Sequence, residues 1–303
     1  MLIRALPSRR GVSLVELIVA ITLGGVVLAL VASISVRQQR LYADVAARGA
    51  LSAQLRQAET ILPIELRGVA PRAGDIREAR DTSIEFRATL SSAVVCDTQP
   101  GALVLTPADA HHTTFASYLT PIGVGDTAWL FIATDSVDYW RPLAVAQAAI
   151  ATLGSCARLG PRLPANLLTA SRTVVRLASP VPMETAIGSV IRVTRPVRYS
   201  LYKGGDARWY LGQRDWNALT SRFNTVQPVS GPFSSPSARG LVFEYFDSAG
   251  TQLSVPVANT KAIASIRASM RGQSNIVMRA FARGAQGKSA DSASVAVALR
   301  NRR

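Results

Sequence analysis

The chain has 303 residues, of which 48% are hydrophobic, and its formal net charge is +15. This length leaves room for a membrane segment and one sizeable domain, or two small ones, and the part after about residue 70 is long enough to bury a real core. Only three of the 34 basic residues are lysines, so the arginine excess indicates a compositional bias. A positive body still favours contact with acidic surfaces, anionic lipid or nucleic acid.

The first 36 residues carry the strongest pattern in the sequence. A basic leader with Arg4, Arg9 and Arg10 precedes residues 12–36, which are apolar apart from Glu16. A helix rises about 1.5 Å per residue, so this run covers the roughly 30 Å core of a bilayer. A carboxylate at the centre of a bilayer costs on the order of 2.5–3.5 kcal/mol, so a charge within this run is expected to have a partner.

Residues 11–16, GVSLVE, resemble the processing site of type IV prepilins and pseudopilins. In that family a peptidase cuts after the glycine that ends the leader, and the new first residue is methylated. The resemblance therefore implies cleavage after Gly11 and methylation of Val12, which stands where the family usually has phenylalanine. It also implies that Glu16, the fifth mature residue, pairs with the N-terminal amino group of a neighbouring subunit and sets the register between subunits.

Two other interpretations of this segment stay open. The first is an ordinary membrane anchor in which Glu16 has no special role. The second is a secretory signal cut after the small residues near position 33, although the apolar run exceeds the 7–15 residues of an ordinary signal.

Helical spacing continues beyond the apolar run. One packed face is predicted by apolar residues at helical steps: Leu41, Val45, Leu51, Leu55, Ala58 and Leu62. Pro63 is expected to kink or end the helix, and Gly68 lies just beyond it. The sequence thus predicts a cleaved leader over residues 1–11 and a helix over residues 12–67. The front of that helix, residues 12–36, would span the membrane, and its amphipathic back would pack on a globular domain.

Residues 75–303 are predicted to form a β-rich domain. Short or alternating apolar runs predict strands over residues 82–88, 102–105, 128–133, 172–177 and 190–201, and a strand or short helix over 144–153. Residues 226–239 are rich in Pro, Ser and Gly, which predicts a loop and the best candidate for a subdivision of the domain. The strand order after residue 240 resembles the C-terminal sheet of PilW-like minor pilins and J-type minor pseudopilins. The predicted fold class is α+β, a pilin-like long helix on a mainly antiparallel β domain.

The two cysteines are Cys96 and Cys156. Outside the cytoplasm an even count favours a disulfide, and two independent buried thiols are the alternative. Neither cysteine lies in a CxxC motif, which argues against a metal or redox site.

Few residue patterns suggest chemistry. Glycine motifs at residues 123–128 and 282–289 fit loose nucleotide-binding patterns but lack the strand–turn–helix context, so we interpret them as turns. His111 and His112 are interpreted as solvated, and no GxSxG motif supplies a nucleophile. Arg192, Arg195 and Arg198 predict either a weak nucleic-acid patch or, as the preferred alternative, solvated strand residues.

These observations predict a structural subunit, with no catalytic residues, cofactor, metal or small-molecule substrate. The predicted function is a minor pilin or pseudopilin of a type IV pilus or a type II secretion pseudopilus. Its expected partners are prepilin peptidase, other pilins and the inner membrane, with the globular domain in the periplasm and, after assembly, at the filament tip. The alternatives are a DNA-binding minor pilin for DNA uptake and a membrane-anchored secreted enzyme.

Overall fold

The computed structural model describes residues 13–108, 116–151, 156, 158–159, 167, 170–279 and 286–299, without the side chains of residues 274–279 and 286–289. The chain divides into two compact units. One is Met1–Ser52 with Ser274–Ser289, and the other is Ala53–Gln273 with Ala290–Arg303. A long N-terminal helix followed by a mainly antiparallel sheet confirms the predicted α+β class.

Helix α1 extends over Leu14–Arg67. An 18-residue stretch of this helix has a mean hydropathy of 2.7, and the helix is long and apolar enough to cross a membrane. Pro63 lies inside the helix and does not end it. Proline removes one backbone hydrogen bond, but the residues on both sides, Leu62 and Leu66, are fully buried, so tertiary packing holds the last turn in helical form.

The back of α1 packs within the second unit. Leu55, Ala58, Leu62 and Leu66 are at most 3% exposed, at the steps that a packed helix face requires. The Ser230 hydroxyl donates to the Gln54 carbonyl at 2.6 Å, which adds a polar contact. Leu41 and Val45, which were predicted to share this face, belong to the first unit and are 45% and 60% exposed.

The strands follow in chain order. They are β1 (Ile76–Ala79), β2 (Ser83–Gln99), β3 (Ala102–Leu105), β4 (Ser117–Tyr118), β5 (Thr127–Ile132), β6 (Tyr139–Ala151), β7 (Arg172–Leu177), β8 (Val190–Lys203), β9 (Trp209–Asn217), β10 (Arg222–Phe223), β11 (Gln227–Phe233), β12 (Leu241–Phe246), β13 (Gln252–Leu253), β14 (Ser265–Arg279) and β15 (Gln286–Ala298). The segment left open between strand and helix, residues 144–153, is therefore largely strand β6.

Six strands close into a ring through antiparallel pairs. The cycle is β2–β3–β7–β6–β5–β8 and back to β2. Its interior is an apolar cluster drawn from all six strands, with Leu130, Ile191 and Val193 fully buried at its centre. Over its paired part, each of the six strands has a neighbouring strand on both edges. This closure protects the ring from pairing with strands of other chains.

The second half of the sheet runs β1–β2–β8–β9–β11–β14–β12–β13, with β15 paired to β14. Strands β2 and β8 are long enough to serve both halves: the start of β2 pairs with the end of β8 here, and the rest of both strands closes the ring. Phe86 on β2 stacks on Tyr199 on β8 with ring centroids 5.9 Å apart, and both are buried.

The prediction of a loop over residues 226–239 is wrong for the first part of this segment, because residues 227–233 form β11. The prolines Pro228 and Pro232 coincide with shifts in the register between β11 and β9, where a missing N–H is tolerated. The composition of this segment therefore suggested a loop, although the segment forms a strand whose pairing with β9 is irregular. The whole segment lies inside one compact unit.

Cys96 and Cys156 form a disulfide, which fits the pairing expected from the sequence. Both residues are fully buried, and they pack with Val104 from β3. Leu159 and Val174 cover this small cluster. The bond therefore ties the described residues near position 156 to the outside of the ring.

Candidate assembly helix and the arginines of strand β8

Glu16 lies in the first turn of α1. The Leu17 N–H donates to the Ser13 carbonyl at 3.1 Å, so helical hydrogen bonding begins just before it. None of the ion pairs among the described residues includes Glu16. Gly11 and Val12 lie outside the described residues, so cleavage and methylation there stay predictions.

The surface around Glu16 is apolar and open. Leu14, Val15 and Leu17 are 73%, 67% and 54% exposed, and the large apolar side chains onward to Val36 are exposed as well. An uninterrupted apolar helix surface of this size needs lipid or other helices to cover it. Glu16 is therefore a single carboxylate on a surface that favours an apolar environment.

Arg192 on β8 binds a fully buried carboxylate. Its Nη2 atom lies 2.8 and 2.7 Å from the two carboxylate oxygens of Asp75, and Asp75 Oδ2 also accepts the Ala70 N–H at 2.9 Å. Asp75 is 0% exposed and follows the turn that ends α1. The pair thus ties the end of the helix to the central strand of the sheet.

Arg195 and Arg198 are also paired with carboxylates. Arg195 makes two hydrogen bonds to buried Asp126, at 2.7 and 2.8 Å, and these bonds raise its pKa. Arg198 donates to Glu85 at 2.7 Å and to Glu78 at 3.2 Å.

These pairs correct the interpretation of the three arginines. Arg192, Arg195 and Arg198 are not free phosphate-binding cations, because each guanidinium is held by a carboxylate. They are not simply solvated strand residues either, because Asp75, Asp126 and Glu85 are buried. Each pair neutralises a carboxylate that the fold buries, so the arginines serve the structure.

Arg192→Met is expected to lower the free energy of unfolding by about 3 kcal/mol, the low end for a broken buried pair because the Arg192 side chain is 19% exposed. The variant keeps most of the side-chain volume but leaves the Asp75 carboxylate buried without its cation. The measurement is urea unfolding at neutral pH. Arg208→Met is the matched control, since Arg208 and its partner Asp206 are both exposed. Equal stability of the two variants would contradict the proposed role of the buried pair.

A second polar cluster joins the end of α1 to β8 and β9. The Tyr199 hydroxyl donates to Gln213 at 3.1 Å, and Gln213 Nε2 donates to Asp215 at 3.1 Å. Burial, and then the negative charge of Asp215, raise the pKa of Glu65 on α1. The charged form of Glu65 is therefore disfavoured in the folded protein.

Glu65→Gln is expected to stabilise the protein at neutral pH. Because the folded pKa of Glu65 is raised, its contribution to stability is full at low pH and is lost as the pH rises through that pKa. The variant should therefore exceed the wild type in stability at neutral pH and show a weaker decline from acidic to neutral pH. Urea unfolding across a pH series tests this, with Glu59→Gln on the same helix as the control. An unchanged pH dependence in Glu65→Gln would contradict it.

The carboxylates that hold the arginines were not predicted from the sequence. Asp75 and Asp126 each follow a glycine in a turn, and such positions are common for aspartate. The three-residue spacing of the arginines along a strand was visible, but their partners are 69 or more positions away in the sequence. The glycine motif at 123–128 is a turn that leads into β5, as expected. His111 and His112 lie outside the described residues.

The comparisons with known proteins concern the front of α1. A family model described as the prokaryotic N-terminal methylation motif matches residues 6–32. No curated protein and no solved structure matches the chain. The motif and the apolar helix support a type IV pilin-like protein that is anchored in a membrane. The motif also implies processing by prepilin peptidase and assembly with other pilins, in a family that is generally structural.

Proposed function

We propose that this chain is a minor pilin or pseudopilin subunit that assembles through α1 into a type IV pilus or a type II secretion pseudopilus. The observation that carries the proposal is the front of α1, an open apolar helix with Glu16 in its first turn and the methylation motif over residues 6–32. An apolar helix of this kind can leave lipid for a bundle of similar helices without exposing apolar surface to water.

Glu16 gives the assembly its register. Prepilin peptidase cuts after Gly11, and the N-methylated amino group of Val12 in one subunit meets the Glu16 carboxylate of its neighbour. Either charge alone is costly in an apolar bundle, and pairing offsets part of that cost. A subunit shifted by one helical turn would leave both charges unpaired, which disfavours wrong registers.

The globular domain lies in the periplasm. A buried disulfide between Cys96 and Cys156 supports this assignment, because disulfides form and persist in oxidising compartments. The domain lies at or near the filament tip, where it primes assembly and contacts other minor subunits. The closed ring of β2, β3, β7, β6, β5 and β8 adds a lobe beyond the sheet on which α1 packs.

The test is the mature N-terminus, read by mass spectrometry of membrane-extracted protein from cells with and without prepilin peptidase. The proposal expects a peptide that begins at N-methylated Val12 and appears only with the peptidase. An intact leader would mean a simple anchored protein, and a start near Ile34 would mean ordinary secretion. Either of these results would overturn the proposed function.

A further inference from the structure

In the part of the chain that the structure describes, strand β15 is an edge of the sheet with unpaired backbone groups. Strand β12 covers one edge of β14 from Leu241↔Met270 to Phe246↔Ser265, so β15 lies on the other edge. Among the described residues β15 pairs with no strand but β14. Its residues Ser292, Ser294, Ala296 and Ala298 are all exposed.

The register shows which backbone groups are unused. The Leu299 N–H donates to the Ala264 carbonyl at 3.0 Å, and the hydroxyls of Ser269 and Ser294 lie 3.2 Å apart. Odd-numbered residues of β15 therefore bond to β14, and the N–H and C=O groups of even-numbered residues point away from the sheet. The Ser292 N–H is used locally by Asp291 at 2.8 Å. The outward groups of Ser294, Ala296 and Ala298 have no partner among the described residues.

This edge lacks the features that protect other strand edges from pairing with another chain. Residues 292–298 of β15 include no proline and no charged residue, and Asp291 lies just before them. The far edge of the sheet at β1, in contrast, is covered: the Val257 N–H donates to the Ala79 carbonyl and the Thr260 hydroxyl to the Ile76 carbonyl, both at 3.0 Å. Strand edges without charge, proline or cover are templates for pairing with another chain.

The neighbouring charge indicates which kind of strand fits. In the observed register Arg271 on β14 lies beside Ser292, and Arg267 lies beside Ala296. Arg267 is engaged by Glu244 at 3.6 Å, whereas Arg271 is exposed and has no carboxylate partner in the described part of the chain. An added strand would lie two strand spacings from β14, roughly 10 Å. Small side chains at Ser292 and Ser294 leave the path from Arg271 to that strand open.

A second copy of this chain fits the edge poorly. Its own β15 has no carboxylate over residues 292–298, and two full chains of net charge +15 repel each other. A strand with glutamate or aspartate on its solvent face would meet Arg271 instead.

We propose that the outer edge of β15 binds an extended acidic strand of a different filament subunit by β-augmentation. The backbone groups of Ser294, Ala296 and Ala298 supply the hydrogen bonds, and Arg271 selects an acidic occupant. That the partner is a filament subunit rests on the proposed function. That it supplies an acidic extended strand is argued from the edge of β15 alone.

The test uses the purified full chain in detergent and three labelled heptapeptides: acetyl-TVEVEVT-amide, its lysine counterpart acetyl-TVKVKVT-amide, and the acidic peptide with alternate backbone nitrogens methylated. We expect fluorescence anisotropy to give a Kd at least tenfold lower for the acidic peptide than for the lysine peptide, and no binding of the methylated one. Hydrogen exchange measured by mass spectrometry should slow in the fragment that covers residues 290–299.

Two variants locate the binding. Ala296→Pro removes an outward N–H without removing a bond to β14, so it should weaken acidic-peptide binding at least tenfold, and Ala296→Thr should leave it unchanged. Thermal unfolding of each variant checks that the sheet is intact. Arg271→Glu, a substitution outside β15, should reverse the order of the two peptides.

Several outcomes would overturn the proposal. Equal affinity for both peptides would contradict the preference for an acidic strand. Full binding by a folded Ala296→Pro variant would show that the edge of β15 is not the binding site. Self-association that Ala296→Pro abolishes would identify a second copy as the occupant. The assay needs neither cleavage at Gly11 nor a filament, so its failure is distinguishable from failure of the proposed function.

Discussion

Glu16→Ala is expected to leave the protein in the membrane but to reduce its recovery in filaments by on the order of 100-fold. In the proposed assembly, the variant leaves the N-terminal amino group of the neighbouring subunit without a counter-charge in an apolar bundle, at a cost of roughly 3 kcal/mol. Each 1.4 kcal/mol changes an equilibrium tenfold. The measurement is the amount of the protein in sheared filaments relative to the amount in the membrane fraction.

Glu16→Gln is the matched control, because it keeps the size and polarity of the side chain but removes the charge. If pairing with the amino group is what matters, the glutamine variant should fail nearly as severely as the alanine variant. Mass spectrometry of both variants should still give a cut after Gly11, which separates assembly from processing. Wild-type recovery of Glu16→Ala in filaments would exclude the pairing mechanism.

Removal of the disulfide is expected to have the largest effect on stability. The bond closes a loop with a sequence separation of 60. In the chain-entropy model this loop contributes roughly 4 kcal/mol to the free energy of unfolding. The double variant Cys96→Ser and Cys156→Ser should therefore unfold at a markedly lower urea concentration than the oxidised wild type.

Reduced wild-type protein is the control for the serine substitutions themselves. It should unfold close to the double variant, because both lack the cross-link and retain the cluster around Val104. Unfolding midpoints for the double variant and the oxidised wild type that agree within error would contradict a stabilising role. A difference between the double variant and reduced protein would measure the packing effect of the serines.

The sequence predicted the helix because its signals are local. An apolar run with one carboxylate, and then apolar residues at helical steps, describe α1 over Leu14–Arg67 without reference to the rest of the chain. Strands β3 and β7 were predicted with their observed bounds, because short apolar runs between turn residues are also local. Local signals failed at β11, where Pro228 and Pro232 are tolerated only because the pairing with β9 shifts beside them.

The role of the β8 arginines depended on contacts between distant parts of the chain. Arg192 and Asp75 are 117 positions apart, and Arg195 and Asp126 are 69 apart, so no local pattern links them. The same is true of the closed ring, which requires β2 and β8 to pair along most of their lengths. The long apolar helix, the methylation motif and the α+β class could all be predicted from the sequence, because they depend on local periodicity and composition. Which charges are paired, and which sheet edge is open among the described residues, could be read only from the tertiary structure, because both depend on pairing between residues far apart in the sequence.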